Sequence, residues 1–173
     1  MIYSIRASIR ERVAPEHRLS CSSRLWRALL HELASRGGGH RESGAFLLGK
    51  RLGGRRVVRS FICYDDLDLH CLDSGIVVFD GAGYGPLWQY CRKAQLEVVA
   101  DVHTHGGPAR QSAADRNHPM IATPGHVALI VPGFAQRSVG ARELGVYEYL
   151  GGHRWQSYDG KAAGRFFYMG LWG

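Results

Sequence analysis

Residues 101–115 read DVHTHGGPARQSAAD, and three side chains in that stretch, His103, His105 and Asp115, suit a metal ion. Histidines at i and i+2 on a strand point to one face. At a strand end they can present two imidazoles to a single ion. Imidazole nitrogen and carboxylate oxygen both bind zinc at about 2.0–2.2 Å, and three protein ligands leave a fourth position for water. Such an ion lowers the pKa of that water towards about 7 and polarises a carbonyl. An HxH pair standing alone is more often merely packed or solvated. Ser112 also reads as a helix N-cap with Asp115 in the first turn. A cap of this kind would hold Asp115 in place for a metal. His118, three residues past Asp115, is a spare ligand candidate. Upstream, the stretch Glu42-Ser43-Gly44-Ala45-Phe46-Leu47-Leu48-Gly49 sets a glutamate directly before an apolar run. A carboxylate at the root of a buried strand is costly unless it has a partner. Its bland alternative is an exposed residue at the strand entrance, paired with Arg41.

Together, E-S-G-x-x-L-L-G and, about 60 residues on, H-T-H followed by S-x-x-D resemble the JAB/MPN domain family bearing the JAMM motif. The resemblance covers roughly residues 19–150. It implies one zinc ion per chain, held by His103, His105 and Asp115. It implies that Glu42 is the general base, which takes a proton from water and delivers it to the leaving amine. It implies that the Ser112 hydroxyl steadies the oxyanion. Gly44 and Gly49 are expected to permit close chain approach beside the site, and Asp101 is a candidate for orienting a histidine from behind. Six residues separate His105 from Ser112 where the family pattern has seven, and Gly106-Gly107 stand where it commonly has a proline. Members of the family hydrolyse isopeptide or peptide bonds, typically after the C-terminal glycine of ubiquitin or a ubiquitin-like protein. Small bacterial members accompany activating and conjugating enzymes, and some serve in defence against phage. The implied partners are therefore a ubiquitin-like protein or its conjugates, together with such enzymes. Release of an amino acid from a sulfur-carrier protein is the neighbouring activity, and a catalytically silent MPN-type scaffold is a second alternative. A zinc deaminase would need H-x-E and a downstream P-C-x-x-C, whereas here His103 is followed by Thr104-His105 and no CxxC exists.

The elements that must carry these residues follow from periodicity. Leu25, Trp26, Leu29, Leu30 and Leu33 recur at helical spacing in residues 22–36, behind a serine pair and before three glycines. Residues 45–48 and 57–63 read as a β-hairpin around a polar turn at 50–56. Residues 75–79 (GIVVF) read as a strand. Pro86 sits in the first turn of a helix over 86–95. Residues 96–102 are a near-continuous apolar run, as in a strand covered on both faces. Residues 127–131 are another such strand, and 145–150 with 154–158 form a closing hairpin. The mixture predicts one α/β or α+β layered domain over residues 1–173. The resemblance sharpens this to a cytidine-deaminase-like mixed β-sheet flanked by helices. The apolar end, GRFFYMGLWG, is expected to pack on the body or on a partner.

Composition excludes several classes. Net charge is +7 with a pI near 9.5, and 21% of residues are charged. A basic surface suits an acidic partner, but no dense basic run or RNA-recognition signature appears, so nucleic acid is not expected. None of Cys21, Cys63, Cys71 and Cys91 forms a CxxC pair, which argues against an all-cysteine metal site; buried free thiols are expected at Cys21, Cys63 and Cys91, which lie in strand or helix segments. No window approaches 18 apolar residues, so no membrane span is expected. Residues 1–13 lack an apolar stretch with a cleavage site, and the expected location is the cytoplasm.

Overall fold

The computed structural model describes residues 16–79 and 81–170. The reading of residues 1–13 and the last three residues of the apolar end lie outside these. A short strand β1 (Leu19–Ser22) leads into helix α1 (Ser23–Gly37). Ser22 caps that helix by accepting the Leu25 N–H, and Gly38 ends it in the left-handed region at φ 57°. Trp26, Leu29, Leu30 and Leu33 form its buried stripe. The hairpin is β2 (Gly44–Leu52) and β3 (Arg55–Cys63). Its turn is only Gly53-Gly54, so the strands run on through the polar residues 50–52 and 55–56 that were expected to be loop. The backbone ladder continues there because hydrogen bonding does not depend on side-chain polarity. Helix α2 (Tyr84–Ala94) begins two residues before Pro86.

The remaining elements are β4 (Glu97–Thr104), helix α3 (Ala113–Asn117), β5 (Val127–Val131), β6 (Gly145–Gly151), β7 (Arg154–Tyr158), helix α4 (Lys161–Phe166) and β8 (Phe167–Gly170). All eight strands form one mixed sheet in the order β7-β6-β5-β4-β2-β3-β1-β8. β4 lies antiparallel to β2 and parallel to β5. The described part of the apolar end, through residue 170, packs internally, since β8 pairs in parallel with β1. The sheet curls until Arg18, beside β1, donates hydrogen bonds to Glu148 on β6. Alternation along β2 feeds two cores. Ala45 and Leu47 join α1, β5 and β6, whereas Phe46 and Leu48 join Tyr64, Leu72 and Leu87. All four cysteines are free and buried. Burial pushes the Cys21, Cys63 and Cys71 thiols up to about 12 and raises Cys91 as well. Among the described residues no helix is long and apolar enough to cross a membrane.

Residues 75–79 are not a strand. Their backbone bonds go elsewhere: the Glu42 N–H donates to Gly75 O, the Val77 N–H to the Glu42 side chain, and the Val78 N–H to Cys71 O. The β-branched run is pinned to loops and a carboxylate rather than to the sheet.

Candidate metal centre

The two motif segments are stitched together by their middle residues. Ser43 and Thr104 are fully buried. The Ser43 N–H donates to Thr104 Oγ1 at 3.0 Å, and the Thr104 N–H donates to Ser43 O at 2.8 Å. Ser43 Oγ in turn donates to Leu33 O on α1 at 2.8 Å. Below them Gly44 stands opposite His103 in the β2–β4 register. A Cβ on Gly44 would lie 2.2 Å from the Tyr64 ring and 2.8 Å from Val102 O; one on Gly49 would lie 2.0 Å from Val57 O. The expectation of close packing at both glycines holds. Glu42 and the two histidines are thus fixed on adjacent strand ends, one residue either side of the Ser43–Thr104 tie.

Each site residue has a second anchor. The His105 N–H donates to Val131 O at 2.9 Å, and the Phe134 N–H donates to His105 O at 2.8 Å. Gly106 lies under the Phe134 ring, where a Cβ would come within 2.5 Å of Cζ. Any side chain at position 106 would have to displace that ring. Loop 106–112 is pressed against β6. Tyr147 Oη donates to Ala109 O at 3.0 Å and accepts the Gln111 N–H at 3.2 Å. Asp115 is set by a capping box in which Ser112 Oγ accepts the Asp115 N–H at 3.1 Å and Asp115 Oδ2 accepts the Ser112 N–H at 2.6 Å. Glu42 Oε2 accepts the Val77 N–H at 3.2 Å, which turns Oε1 towards His105.

These anchors bring His103, His105 and Asp115 into one group that can hold a metal ion. His103 Nε2 and His105 Nε2 lie 3.0 Å apart. Asp115 Oδ1 is 3.3 Å from His103 Nε2, and Oδ2 is 3.3 Å from His105 Nε2. A tetrahedral ion with bonds of about 2.0–2.1 Å has ligand–ligand edges of about 3.3–3.4 Å, so the spacing and the donor set both fit. Glu42 Oε1 stands 3.6 Å from His105 Nε2, outside the group but facing it. The field of the group favours a cation. Burial opposes a charge on His103, but Asp115, then Asp101 and Glu42, raise its pKa above the usual value. Burial likewise opposes the Asp115 carboxylate, yet the two imidazoles and the Ser112 N–H hold it well below the usual range.

Three sequence candidates fall differently. Asp101 is buried but orients neither His103 nor His105. Its carboxylate bonds His126 Nε2 at 2.5 Å and accepts Tyr64 Oη at 3.2 Å. The parallel register places Asp101 opposite Ala128, two residues past His126 on β5, so the nearer partner for its carboxylate is that buried ring. His118 is exposed and outside the metal group; its N–H merely closes α3 on Ala114 O. Ser112 is the cap of α3, the local reading of S-x-x-D. Sequence reasoning missed the Val77 N–H, which holds Glu42, and Tyr147, which holds the ligand loop. Neither carries a local signal, although a tyrosine on a strand beside a glycine-rich loop is a hint.

No family model matches the chain. A solved structure from Desulfitobacterium hafniense is similar in fold, with a TM-score of 0.61 at 18% identity, covering 87% of this chain and 92% of that one. A second, from Salinibacter ruber, has a TM-score of 0.49 at 20% identity over 78% of this chain and 86% of that one. The first likeness concerns the fold alone.

Proposed function

We propose that the chain is a zinc metallopeptidase of the JAB/JAMM type, with the JAB/MPN fold, that cleaves after the C-terminal glycine of a ubiquitin-like protein and so matures or removes it. The observation that carries this reading is the convergence of two Nε2 atoms and one carboxylate at 3.0–3.3 Å, with Glu42 Oε1 facing the group at 3.6 Å. His103, His105 and Asp115 would hold the ion. Bound there, zinc supplies Lewis acidity to a water molecule and to the scissile carbonyl.

Glu42 Oε1 accepts the proton of the attacking water and passes it to the leaving nitrogen. Oε2 stays on the Val77 N–H, so the carboxylate needs no rotation between the two transfers. Ser112 fixes the Asp115 carboxylate through the capping box, and its hydroxyl is the proposed oxyanion donor. Residues 75–79 lie beside Glu42 with Ile76 and Val78 exposed. The basic surface suits an acidic modifier from the same cytoplasm.

The test is incubation of the purified protein with a ubiquitin-like fusion, with and without chelator, alongside metal analysis. Glu42→Gln is expected to keep one zinc and lose cleavage by on the order of 10²–10⁴-fold. His103→Ala is expected to lose both. A fully active Glu42→Gln would refute the assigned base.

A further inference from the structure

On the Asp115 side of the group lies a cleft of about 690 Å³. Arg110 from the ligand loop, Arg116 from α3 and Arg142 from the segment before β6 all line it. All three are exposed, and none makes a side-chain hydrogen bond or ion pair among the described residues. Elsewhere Arg18, Arg36, Arg51 and Arg137 are each matched with a carboxylate. The acids of the cleft do not balance its arginines. Glu143 is engaged by Arg137 and the Gly140 N–H, which leaves Asp159. Three unmatched guanidinium groups therefore face a cleft one residue away from a metal-binding side chain.

Resting on the proposed peptidase, we infer that this cleft binds an acidic segment of the substrate, a few residues rich in Asp or Glu, immediately beside the bond that is cut. A guanidinium matches a carboxylate by paired N–H donors. The volume lies in the range of a small-ligand site, about 300–1,000 Å³, which suits a short segment rather than a long track. Single-stranded nucleic acid fits less well because its bases stack on free aromatic faces. The Tyr147 hydroxyl is committed to the loop. The Trp155 ring packs on Tyr149 at 4.8 Å, and its Nε1 donates to Arg116 O.

The experiment reads binding apart from catalysis. Fluorescein-labelled peptides carrying a Glu/Asp run, or the same run as Gln/Asn, are titrated with the zinc-loaded full chain and followed by anisotropy. The acidic peptide is expected to bind at least about tenfold tighter. Combined Arg110→Glu, Arg116→Glu and Arg142→Glu is expected to abolish that preference. Combined Arg24→Glu, Arg27→Glu and Arg59→Glu, an equal charge change on exposed residues elsewhere, is expected to keep it. In cleavage, the ratio of kcat/KM for acidic over neutral fusions falls about tenfold in the first triple variant only. Equal binding of the two peptides overturns the inference, as does loss of the preference in both triple variants. So does tighter binding of a short oligodeoxythymidylate that is lost in the first triple. Intact peptide preference without cleavage of any fusion counts against the peptidase and leaves the cleft standing.

Discussion

Tyr147→Phe isolates the support of the ligand loop from the ligands themselves. The substitution removes one oxygen and with it two hydrogen bonds, to Ala109 O at 3.0 Å and from the Gln111 N–H at 3.2 Å. Each neutral bond contributes about 1 kcal/mol net, so the anchor is worth about 2 kcal/mol. Both bonded groups lie in loop 106–112, between His105 and the cap that sets Asp115. In the variant, ordering that loop becomes part of binding the metal. If the whole 2 kcal/mol moves into that step, zinc affinity falls about thirtyfold, at about 1.4 kcal/mol per decade. Water that partly replaces the hydroxyl brings the loss nearer threefold. The assay is zinc competition against a chelating dye at fixed pH, with circular dichroism as the check on folding. Tyr149→Phe is the control. It lies on the same strand, and its hydroxyl accepts the His153 N–H at 3.2 Å, away from the ligand loop. A Tyr147→Phe zinc affinity within about twofold of the parent, or an equal drop in Tyr149→Phe, would refute the reasoning.

Gly44→Ala forces a methyl to 2.2 Å from the Tyr64 ring and 2.8 Å from a backbone oxygen. With Tyr64 fully buried and hydrogen-bonded to Asp101, the expected loss is at the top of the overpacking range, about 3 kcal/mol, read from urea midpoints. Ser112→Ala removes the cap of α3, lowering stability by about 1 kcal/mol and weakening zinc binding through Asp115. Ser112→Asn restores the cap, so zinc retention with lost cleavage in that variant assigns the hydroxyl to chemistry. Glu148 tests closure of the sheet. Burial opposes its charge, but Arg18, with Tyr158 and Arg56, holds its carboxyl below the usual range. A depressed carboxylate contributes stability above its unfolded pKa of about 4.3, and that contribution is lost as pH falls through the folded value. Because Arg18 is half exposed, Glu148→Gln should cost about 1–2 kcal/mol at pH 7, and unfolding curves should converge with the parent as the medium is acidified. A deficit that widens in acid contradicts this.

Local signals located most of the scaffold. The leucine stripe with its serine cap and glycine stop defined α1, and the apolar run 127–131 coincides with β5. His103, His105 and Asp115 were grouped in the sequence only with the help of the upstream Glu42 segment and the resemblance it carries, and the structure brings the three together. Long-range geometry was not legible in the same way. Residues 75–79 have strand composition, but their amides are taken by Glu42 and Cys71. Asp101 reaches His126 only because β4 and β5 lie parallel in one register. The polar ends of the hairpin looked like a loop because polarity was read as a turn, whereas the ladder needs only backbone. Ser43 and Thr104 looked like filler between functional residues. Their mutual hydrogen bonds are what align Glu42 with the histidines.

The four walled-off thiols simplify the inorganic chemistry of this protein. A thiolate is the usual competitor for a soft or borderline ion, and here burial disfavours the thiolate at Cys21, Cys63 and Cys71 by pushing each thiol up to about 12. Being buried, none of the four presents an exposed thiol to a metal ion added to the folded chain. Cobalt titration of the chain is therefore expected to give a visible ligand-field band without near-ultraviolet sulfur-to-cobalt charge transfer.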